Sequence, residues 1–288
     1  MTVTVRPLTP AVGVEVLGAD LRRLGDADFA GVERAWHQHS VILLRDQTLR
    51  DDDLLAFSRR FGELDPPPNQ ERGRISPPGY PDIYVVSNVL DKKGDPIGAL
   101  GAGEAVWHTD MSYLDRPPDA SMLYSLEIPE SGGSTWFCGM QAACDALPAE
   151  LLRRIEGRRI KHDGTYNSGG YLRQGVTPTD DPMAAPGAWH PAIIKHPANG
   201  RATLYLGRRR NSYVEGYSRE ESDAVLEALW THVTQPRFVY EHVWKLGDLV
   251  MWDNRSTMHR RDPFDGEARR IMHRTQIKGS HRPEAFAA

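Results

Sequence analysis

The stretch Leu249-Val-Met-Trp-Asp-Asn-Arg-Ser-Thr-Met-His259 begins with an apolar run of strand length and turns at Asp253-Asn254. Short apolar runs that end at turn residues are typical of buried strands. Comparable β-rich runs recur along the chain and predict strands at Val3–Val5, Val41–Arg45, Ile83–Ser87, Ser121–Glu127, Ser134–Cys138, Ala192–Lys195, Leu204–Leu206, Phe238–Trp244, Leu249–Trp252 and Arg270–Ile277. This many strands predict a mainly β fold, in the form of a sandwich or jelly roll.

Four stretches between these strands predict peripheral helices, at Asp26–His39, Asp51–Phe61, Ala149–Glu156 and Ser218–Val233. Two of them follow capping-box patterns, Thr48-x-x-Asp51 and Ser218-x-x-Glu221, which satisfy free N–H groups at the start of a helix. Because the chain has no internal repeat or linker, residues 1–288 are expected to form one domain. Two irregular stretches, near 65–105 and 166–187, predict lid-like loops, since long loops in compact domains are commonly functional.

Charge and composition exclude several classes of function. The 288 residues carry a formal net charge of −4 with both signs interspersed, so nucleic acid is not an expected partner. The two cysteines cannot build a disulfide framework. The first residues lack the pattern of a signal peptide, and no apolar run approaches the roughly 20 residues that span a bilayer. We therefore predict a cytoplasmic protein that does not enter a membrane.

His108 and Asp110 are the first candidate metal ligands. Side chains two apart in a strand point the same way, so an H-x-D pair at a strand end can chelate one ion. A third ligand must come from far along the chain, and His259 is the candidate. Two histidines and one carboxylate are the ligand set of a non-heme Fe(II) centre with open positions. The alternatives are a chance tripeptide and a surface histidine beside Arg260 and Arg261.

Arg270 and Arg274 add an anion site to this pattern. They lie four apart in a predicted strand and therefore face one way. An inward arginine is costly unless it meets an anion, and its guanidinium matches a carboxylate in a bidentate manner. Thr135, which follows the Gly132-Gly133 turn, offers a hydroxyl to the same carboxylate. The alternatives are two salt-bridged surface arginines and an ordinary strand threonine.

The run Arg208-Arg209-Arg210 follows a predicted strand and has two interpretations. It is either a solvated basic turn, or one of its arginines adds to anion binding near the mouth of a pocket.

Taken together, these segments resemble the Fe(II)/2-oxoglutarate dioxygenases of the taurine dioxygenase and 2,4-dichlorophenoxyacetate dioxygenase (TauD/TfdA) family. The resemblance is carried by Trp107-His-Thr-Asp110, Pro129-Glu-Ser-Gly-Gly-Ser-Thr-Trp-Phe137, Gly247-Asp-Leu-Val-Met-Trp-Asp-Asn-Arg255 with His259, and Arg269-Arg-Ile-Met-His-Arg274. It also includes Val12–Leu24 and Phe57–Gly62, and so extends over nearly the whole chain.

The resemblance implies a double-stranded β-helix, or jelly roll, and a site for Fe(II), 2-oxoglutarate and O2. The residues implied to ligate Fe(II) are His108, Asp110 and His259. Arg270, helped by Thr135, is implied to bind the distal carboxylate of 2-oxoglutarate. Arg274 is implied to border the substrate site and hold an anionic group. The family commonly forms homo-oligomers, so a dimer or a tetramer is expected.

The expected reaction hydroxylates a small anionic substrate, aryloxyalkanoate-like or sulfonate-like, and releases succinate and CO2. Where the attacked carbon bears an ether oxygen or a sulfonate, cleavage of the C–O or C–S bond follows. Two other functions are compatible with parts of the pattern: a catalytically inactive jelly roll that binds an anion, and a zinc hydrolase with the same three ligands.

Overall fold

The computed structural model describes residues 3–67, 76–103, 105–207 and 210–287. In this part of the chain the strands are β1 (Thr4–Pro7), β2 (Val14–Leu17), β3 (Val41–Leu44), β4 (Tyr84–Ser87), β5 (Ala99–Leu100), β6 (Ala105–His108), β7 (Ala120–Glu127), β8 (Thr135–Gly139), β9 (Arg159–Asp163), β10 (Gly187–Pro191), β11 (Ile193–Lys195), β12 (Ala202–Leu204), β13 (Tyr213–Val214), β14 (Val239–His242), β15 (Leu249–Asp253), β16 (Thr257–Arg261) and β17 (Ile271–Ile277). The helices are α1 (Asp26–His39), α2 (Asp51–Arg59), α3 (Met140–Asp145), α4 (Ala149–Ile155) and α5 (Arg219–Val233), with 3-10 turns at Leu21–Arg23 and Pro236–Phe238.

Two sheets form the framework of the molecule. The major sheet has the strand order β1-β2-β3-β15-β7-β17-β4-β5, and the minor sheet has the order β14-β8-β16-β6. Two small sheets, β10-β9-β13 and β11-β12, complete the strand arrangement. The non-sequential neighbours show that the chain crosses repeatedly between sheets, as in a jelly roll. The predicted mainly β fold with peripheral helices is confirmed.

Three apolar cores explain why the sheets and helices pack in this order. Between the sheets, Phe137 of β8 packs with Val250 and Trp252 of β15. On the outer face of the major sheet, Trp36 of α1 and Phe57 of α2 pack on β3 and β15. A third cluster joins α3, α4 and α5 to the minor sheet. Each sheet thus buries both faces, since helices cover the sides that the other sheet does not.

The register of neighbouring strands brings distant residues together. β16 pairs with β6 so that His259 lies directly opposite His108. β16 also pairs with β8, which places Arg261 opposite Thr135. Side chains opposite each other in an antiparallel pair lie on the same face of the sheet. The pairing therefore directs these four side chains toward the interior between the sheets.

Most predicted elements are present, with ends that differ by one or two residues. The helix predicted at Asp51–Phe61 ends at Arg59. The Ser218-x-x-Glu221 capping box is confirmed, whereas the one predicted at Thr48-x-x-Asp51 is wrong. Arg50 is the N-cap of α2, and its backbone N–H donates to the side chain of Asp53 at 2.9 Å. Asp51, Asp52 and Asp53 all lie in the first turn and could each have served as the capping carboxylate. Because the helix begins at Asp51, the carboxylate at its third position, Asp53, accepts the hydrogen bond.

Several short strands were not predicted from the sequence. β6 and β16 carry the two candidate histidine ligands; β6 has only the three apolar residues Ala105–Trp107, and β16 has no apolar run. β9 buries Lys161, His162 and Asp163, so polar residues take positions where an apolar pattern is expected. Strands of this kind form because neighbouring strands supply their hydrogen bonds. They cannot be predicted from the local periodicity of apolar residues. None of the described helices has the length and apolar character needed to cross a membrane.

Candidate active site

One cavity between the two sheets brings together the six residues predicted to bind the metal, the cosubstrate and the substrate. Together with the open solvent at its mouth, the space is about 820 Å³. The six predicted residues that line it are His108, Asp110, Thr135, His259, Arg270 and Arg274. Its other walls include Tyr84, Val86, Leu100, Leu123, Asn167, Arg173, Trp252 and Arg261. Residues from both predicted lid-like stretches therefore contribute to the walls.

The donor atoms of His108, Asp110 and His259 converge within 4.8 Å of one another. Asp110 Oδ1 lies 3.5 Å from Nε2 of His108 and 3.8 Å from Nε2 of His259. His108 Nδ1 lies 2.7 Å from the carbonyl oxygen of Val106, which can only accept, so Nδ1 carries the hydrogen. Nε2 is then the unprotonated nitrogen, as a metal ligand requires. The three side chains fit one metal ion.

The two oxygens of Asp110 have different partners. Oδ2 accepts from the Ser121 hydroxyl at 2.8 Å and lies 2.7 Å from Nη2 of Arg274. Oδ1 is thereby turned toward the histidines. Burial would raise the pKa of Asp110, but Arg274, His259 and His108 together hold this pKa well below its usual range. The carboxylate is therefore charged and orientated before a metal binds. Residues that hydrogen-bond to a metal-ligating side chain commonly orient it in this way.

Arg270 lines the same cavity and is 1% exposed. Its Nε and Nη2 atoms are buried and have no hydrogen-bond partner among the described residues. Burial, with a smaller effect from Arg261, lowers the pKa of Arg270 to about 9. Its backbone N–H donates to Oδ1 of Asn88 at 3.0 Å, which fixes the start of β17. A desolvated guanidinium with unused donors fits an anionic ligand such as a carboxylate.

Thr135 is held ready to donate a hydrogen bond into the cavity. Its hydroxyl oxygen accepts from Nε1 of Trp244 at 3.0 Å, so its own hydrogen can be directed elsewhere. The preceding Gly132 and Gly133 both have positive φ, at 76° and 69°. A Cβ on Gly133 would lie 3.4 Å from Phe264 and 3.7 Å from Nε of Arg270. The tight turn leaves the space beside Arg270 open.

Three cavity residues were missed by sequence reasoning. Arg261, which was considered only as a surface neighbour of His259, is buried and faces inward. Tyr84 lies opposite Arg274 in the β4–β17 pair, and its buried hydroxyl has no partner within the described chain. Arg173 stacks 4.1 Å from the ring of Tyr113. Alternation along β16, in which Arg261 follows His259 by two positions, was the signal that could have identified Arg261.

The basic run is only partly visible. Arg208 and Arg209 lie outside the described residues. Arg210 is exposed, pairs with Asp180 at 2.9 Å and lies 5.3 Å from the ring of Tyr166. It is not among the residues that line the cavity. For Arg210, the interpretation as a solvated basic turn fits better.

The fold and the site together define a class of protein. Two histidines and one carboxylate on one side of a cavity in a jelly roll are typical of oxygenases with a mononuclear metal centre. The family described as "Taurine catabolism dioxygenase TauD, TfdA family" matches residues 4–276. The chain belongs to this family and is an α-ketoglutarate-dependent dioxygenase, an oxidoreductase.

Individual relatives agree with this assignment. The chain is 37% identical over 285 residues to the α-ketoglutarate-dependent 2,4-dichlorophenoxyacetate dioxygenase of Cupriavidus pinatubonensis, covering 95% of this chain and 97% of that protein. It is 29% identical over 306 residues to the (S)-phenoxypropionate/α-ketoglutarate dioxygenase of Delftia acidovorans, covering 100% and 98%. The crystal structure of AAD-2 in complex with Mn(II) and N-oxalylglycine aligns with a TM-score of 0.79 at 31% identity, covering 98% of this chain and 100% of that chain.

Proposed function

We propose that the chain uses Fe(II), 2-oxoglutarate and O2 to hydroxylate a small aryloxyalkanoate, with release of succinate and CO2. The observation that carries the proposal is the buried Arg270, whose unused donors lie in the same cavity as a three-residue metal site. A metal site alone would fit many reactions. A metal site beside an uncompensated guanidinium fits a cosubstrate with a distant carboxylate.

The proposed metal ligands are His108, Asp110 and His259. When bound, Fe(II) and 2-oxoglutarate together supply the oxidising chemistry, in which O2 is consumed, 2-oxoglutarate is decarboxylated and a C–H bond is hydroxylated. The protein contributes position and charge. Ser121 and Arg274 hold Asp110 Oδ2, which leaves Oδ1 directed toward the two histidines, and three protein ligands would leave positions on a bound ion for other ligands.

Arg270 and Thr135 are the proposed partners of the distal carboxylate of 2-oxoglutarate. Arg270 supplies a fixed fork of N–H donors, and Thr135 supplies a hydroxyl whose oxygen is already occupied by Trp244. The expected gain is large, because the carboxylate compensates a charge that the folded protein has already desolvated.

Arg274 is the proposed partner of the substrate's anionic group. One of its nitrogens pairs with Asp110, and its buried Nε has no partner in the described residues. Leu123, Trp252 and Val86 give the same cavity an apolar wall. A cation beside an apolar wall fits an aromatic ring carrying a short acidic arm. This chemistry, and the two aryloxyalkanoate-degrading relatives, favour an aryloxyalkanoate over a sulfonate.

The proposed outcome for such a substrate is cleavage of its ether bond. Hydroxylation of the carbon between the ether oxygen and the carboxylate gives a hemiacetal, which separates into a phenol and an oxo acid.

A zinc hydrolase fits the cavity less well. Hydrolysis by a metal-bound water needs a nearby general base. Among the described residues that line the cavity, the three ligands are the only carboxylate and imidazole groups. A cytoplasmic location, a homodimer or homotetramer and a single domain with lid-like loops stay predictions made from the sequence.

Two measurements test the proposed function. Under anaerobic conditions, Fe(II) and 2-oxoglutarate should together produce the weak visible charge-transfer band of their chelate. In air, succinate release should be stimulated by aryloxyacetates or aryloxypropionates more than by sulfonates or alkyl sulfates. Enzyme loaded with zinc serves as the control and should do neither. An enzyme that binds Fe(II) but gives no band with 2-oxoglutarate, or one that is active with zinc, would contradict the proposal.

A further inference from the structure

Arg261 connects the metal-bearing strand to a loop that covers the cavity. Its Nη2 donates to the carbonyl oxygen of Leu100 at 3.0 Å and also to that of Gly103. The backbone N–H of Phe264 donates to the carbonyl oxygen of Ala102 at 3.2 Å. Residues 99–103, called the roof loop below, are therefore held by contacts from β16 and the segment that follows it.

The roof loop is held in a conformation that needs such support. Leu100 has φ of 74°, and Gly101 has φ of 46°. Leu100 is not glycine, so its left-handed backbone costs free energy that other contacts must offset. The Leu100 side chain lines the cavity. Loss of the Arg261 contacts would thus release a part of the cavity wall.

Arg261 also faces the place proposed for the distal carboxylate of 2-oxoglutarate. It lies opposite Thr135 in the β16–β8 pair, and it lines the same cavity as Arg270. The guanidinium carbons of Arg261 and Arg270 lie 5.7 and 5.8 Å from the ring centre of Phe264. Nε of Arg261 is buried and has no hydrogen-bond partner in the described chain. Two guanidinium groups thus border one anion position.

We propose that Arg261 is a positioning residue that couples closure of the roof loop to binding of the cosubstrate's distal carboxylate. The inference rests on the proposed function, because it needs 2-oxoglutarate as the anion. Without an anion, Arg261 and Arg270 repel each other, and this repulsion opposes the contacts of Arg261 to the roof loop. With the carboxylate between them, both charges are compensated, and the contacts to Leu100 and Gly103 become more favourable. Binding of the cosubstrate therefore stabilises the cavity wall at Leu100.

Hydrogen exchange of the iron-loaded enzyme under anaerobic conditions tests this coupling. The amide of Phe264 is the reporter, because it donates to Ala102 of the roof loop. Saturating 2-oxoglutarate should slow exchange at Phe264 and in residues 99–103 by about 5- to 150-fold, the usual range for coupled sites. This comparison uses the wild-type enzyme, so it does not depend on a variant that folds.

Arg261→Gln supplies the reciprocal test. Because coupling is reciprocal, the variant should bind 2-oxoglutarate more weakly by about the same factor and lose the protection of Phe264. Arg260→Gln is the matched control: Arg260 is the preceding residue, pairs with Asp262 and stacks 4.7 Å from Trp136. It should change neither quantity.

The failures of the two proposals can be distinguished. Absence of the charge-transfer band in wild-type enzyme would overturn the proposed function. A normal band with no change in exchange on addition of 2-oxoglutarate would overturn only the coupling. Normal 2-oxoglutarate affinity in a folded Arg261→Gln enzyme would also overturn it, and would leave Arg261 as a loop anchor alone.

Discussion

Arg270 has a positive charge at a place where the described residues offer no compensating anion. A buried polar group without a partner costs about 1–3 kcal/mol, and a charged one costs more. The residue is nevertheless held firmly, since Asn88 accepts from its backbone N–H and donates to the carbonyl oxygens of Gly266 and Ala268. The fold thus holds the Arg270 guanidinium in an unfavourable buried position. A bound anion would offset this free-energy cost.

Arg270→Met should therefore separate stability from binding. We expect the metal-free protein to become more stable by about 1–3 kcal/mol, because the unsatisfied donors are removed. Binding of 2-oxoglutarate should weaken by about 2–5 kcal/mol, the cost of truncating one partner of a buried charge pair. Urea unfolding measures the first quantity, and titration of the charge-transfer band measures the second.

Arg269→Met is the matched control for this experiment. Arg269 is exposed and pairs with Glu127 at 2.7 Å on the surface. Its removal should change stability by no more than about 0.5 kcal/mol and leave 2-oxoglutarate binding intact. A destabilised Arg270→Met protein that still binds the cosubstrate tightly would assign Arg270 a structural role.

Ser121 connects Asp110, a proposed metal ligand, to three other side chains. Its hydroxyl donates to Asp110, and side-chain nitrogens of Arg274, Asn254 and Gln276 lie 3.1, 3.2 and 3.3 Å from its oxygen, which can accept from two of them at a time. Ser121→Ala should lower metal affinity by about 10- to 100-fold, the usual effect of losing a group behind a ligand.

His259→Ala sets the scale for the Ser121 variant, and it should abolish metal binding together with activity. Exposed His281 provides the control through His281→Ala, which should retain full metal content. Metal content after dialysis measures all three variants. Unchanged metal affinity in Ser121→Ala would show that Asp110 needs no orientation by its neighbours.

At the scale of elements, the Gly132-Gly133 turn determines where β8 begins and so where Thr135 lies. Gly133 and Gly157 have the same φ of 69°, but only Gly133 has neighbours within 4 Å of a Cβ position. Substitutions at Gly133 and Gly157 therefore cause similar backbone strain, but only those at Gly133 also crowd the site.

Gly133→Ala and Gly157→Ala should both lower the free energy of unfolding by about 1–2 kcal/mol, since an L-residue is disfavoured at this φ. Only Gly133→Ala should also weaken 2-oxoglutarate binding, because its Cβ faces Phe264 and Nε of Arg270. Thermal or urea unfolding and the charge-transfer titration are the measurements. Equal 2-oxoglutarate affinity in the two variants would contradict the proposed place of the carboxylate.

Strand pairing accounts for much of what sequence reasoning could and could not predict. Strands β7 and β15 were predictable because their own residues include apolar runs, and β17 was predictable although it mixes apolar and polar residues. β6 and β16 were not, because each forms by pairing with neighbours from distant parts of the chain. The histidines on them were nevertheless identified, since their chemistry is visible without knowledge of the strand.

At the scale of the whole molecule, buried histidines and carboxylates give stability a common dependence on pH. Burial lowers the pKa of His190 and of His242 below the ordinary value of 6.5, although hydrogen bonds to Ser112 and Leu114 and the carboxylate of Asp248 act in the opposite direction. Below about pH 6.5 the unfolded chain therefore binds protons that the folded protein resists. The pKa of Asp253 is also lowered in the folded protein, so the free energy of unfolding falls further as the pH drops below 3.8.

We expect the free energy of unfolding to fall as the pH is lowered from 7 toward 5, by up to about 1.4 kcal/mol per pH unit for each fully resisting histidine. Urea titrations across this range measure the slope. His190→Gln should reduce the slope, whereas His281→Gln, at an exposed position, should not. Stability that is constant or rises on acidification would contradict the burial of neutral histidines.

The sequence by itself determined the class of fold and the chemistry of the site. Apolar periodicity is a local property, so it can be recognised in the sequence alone. The capacity of imidazole, carboxylate and guanidinium groups to bind a metal or an anion also follows from residue type, as at His108, Asp110, His259 and Arg270. Only the tertiary structure decided which oxygen of Asp110 faces the metal position and that Arg274 holds the other. It also brought Arg261 beside Thr135 and under the roof loop. The physical reason is that such contacts depend on strand register and loop docking, which are set by packing between segments far apart in the chain.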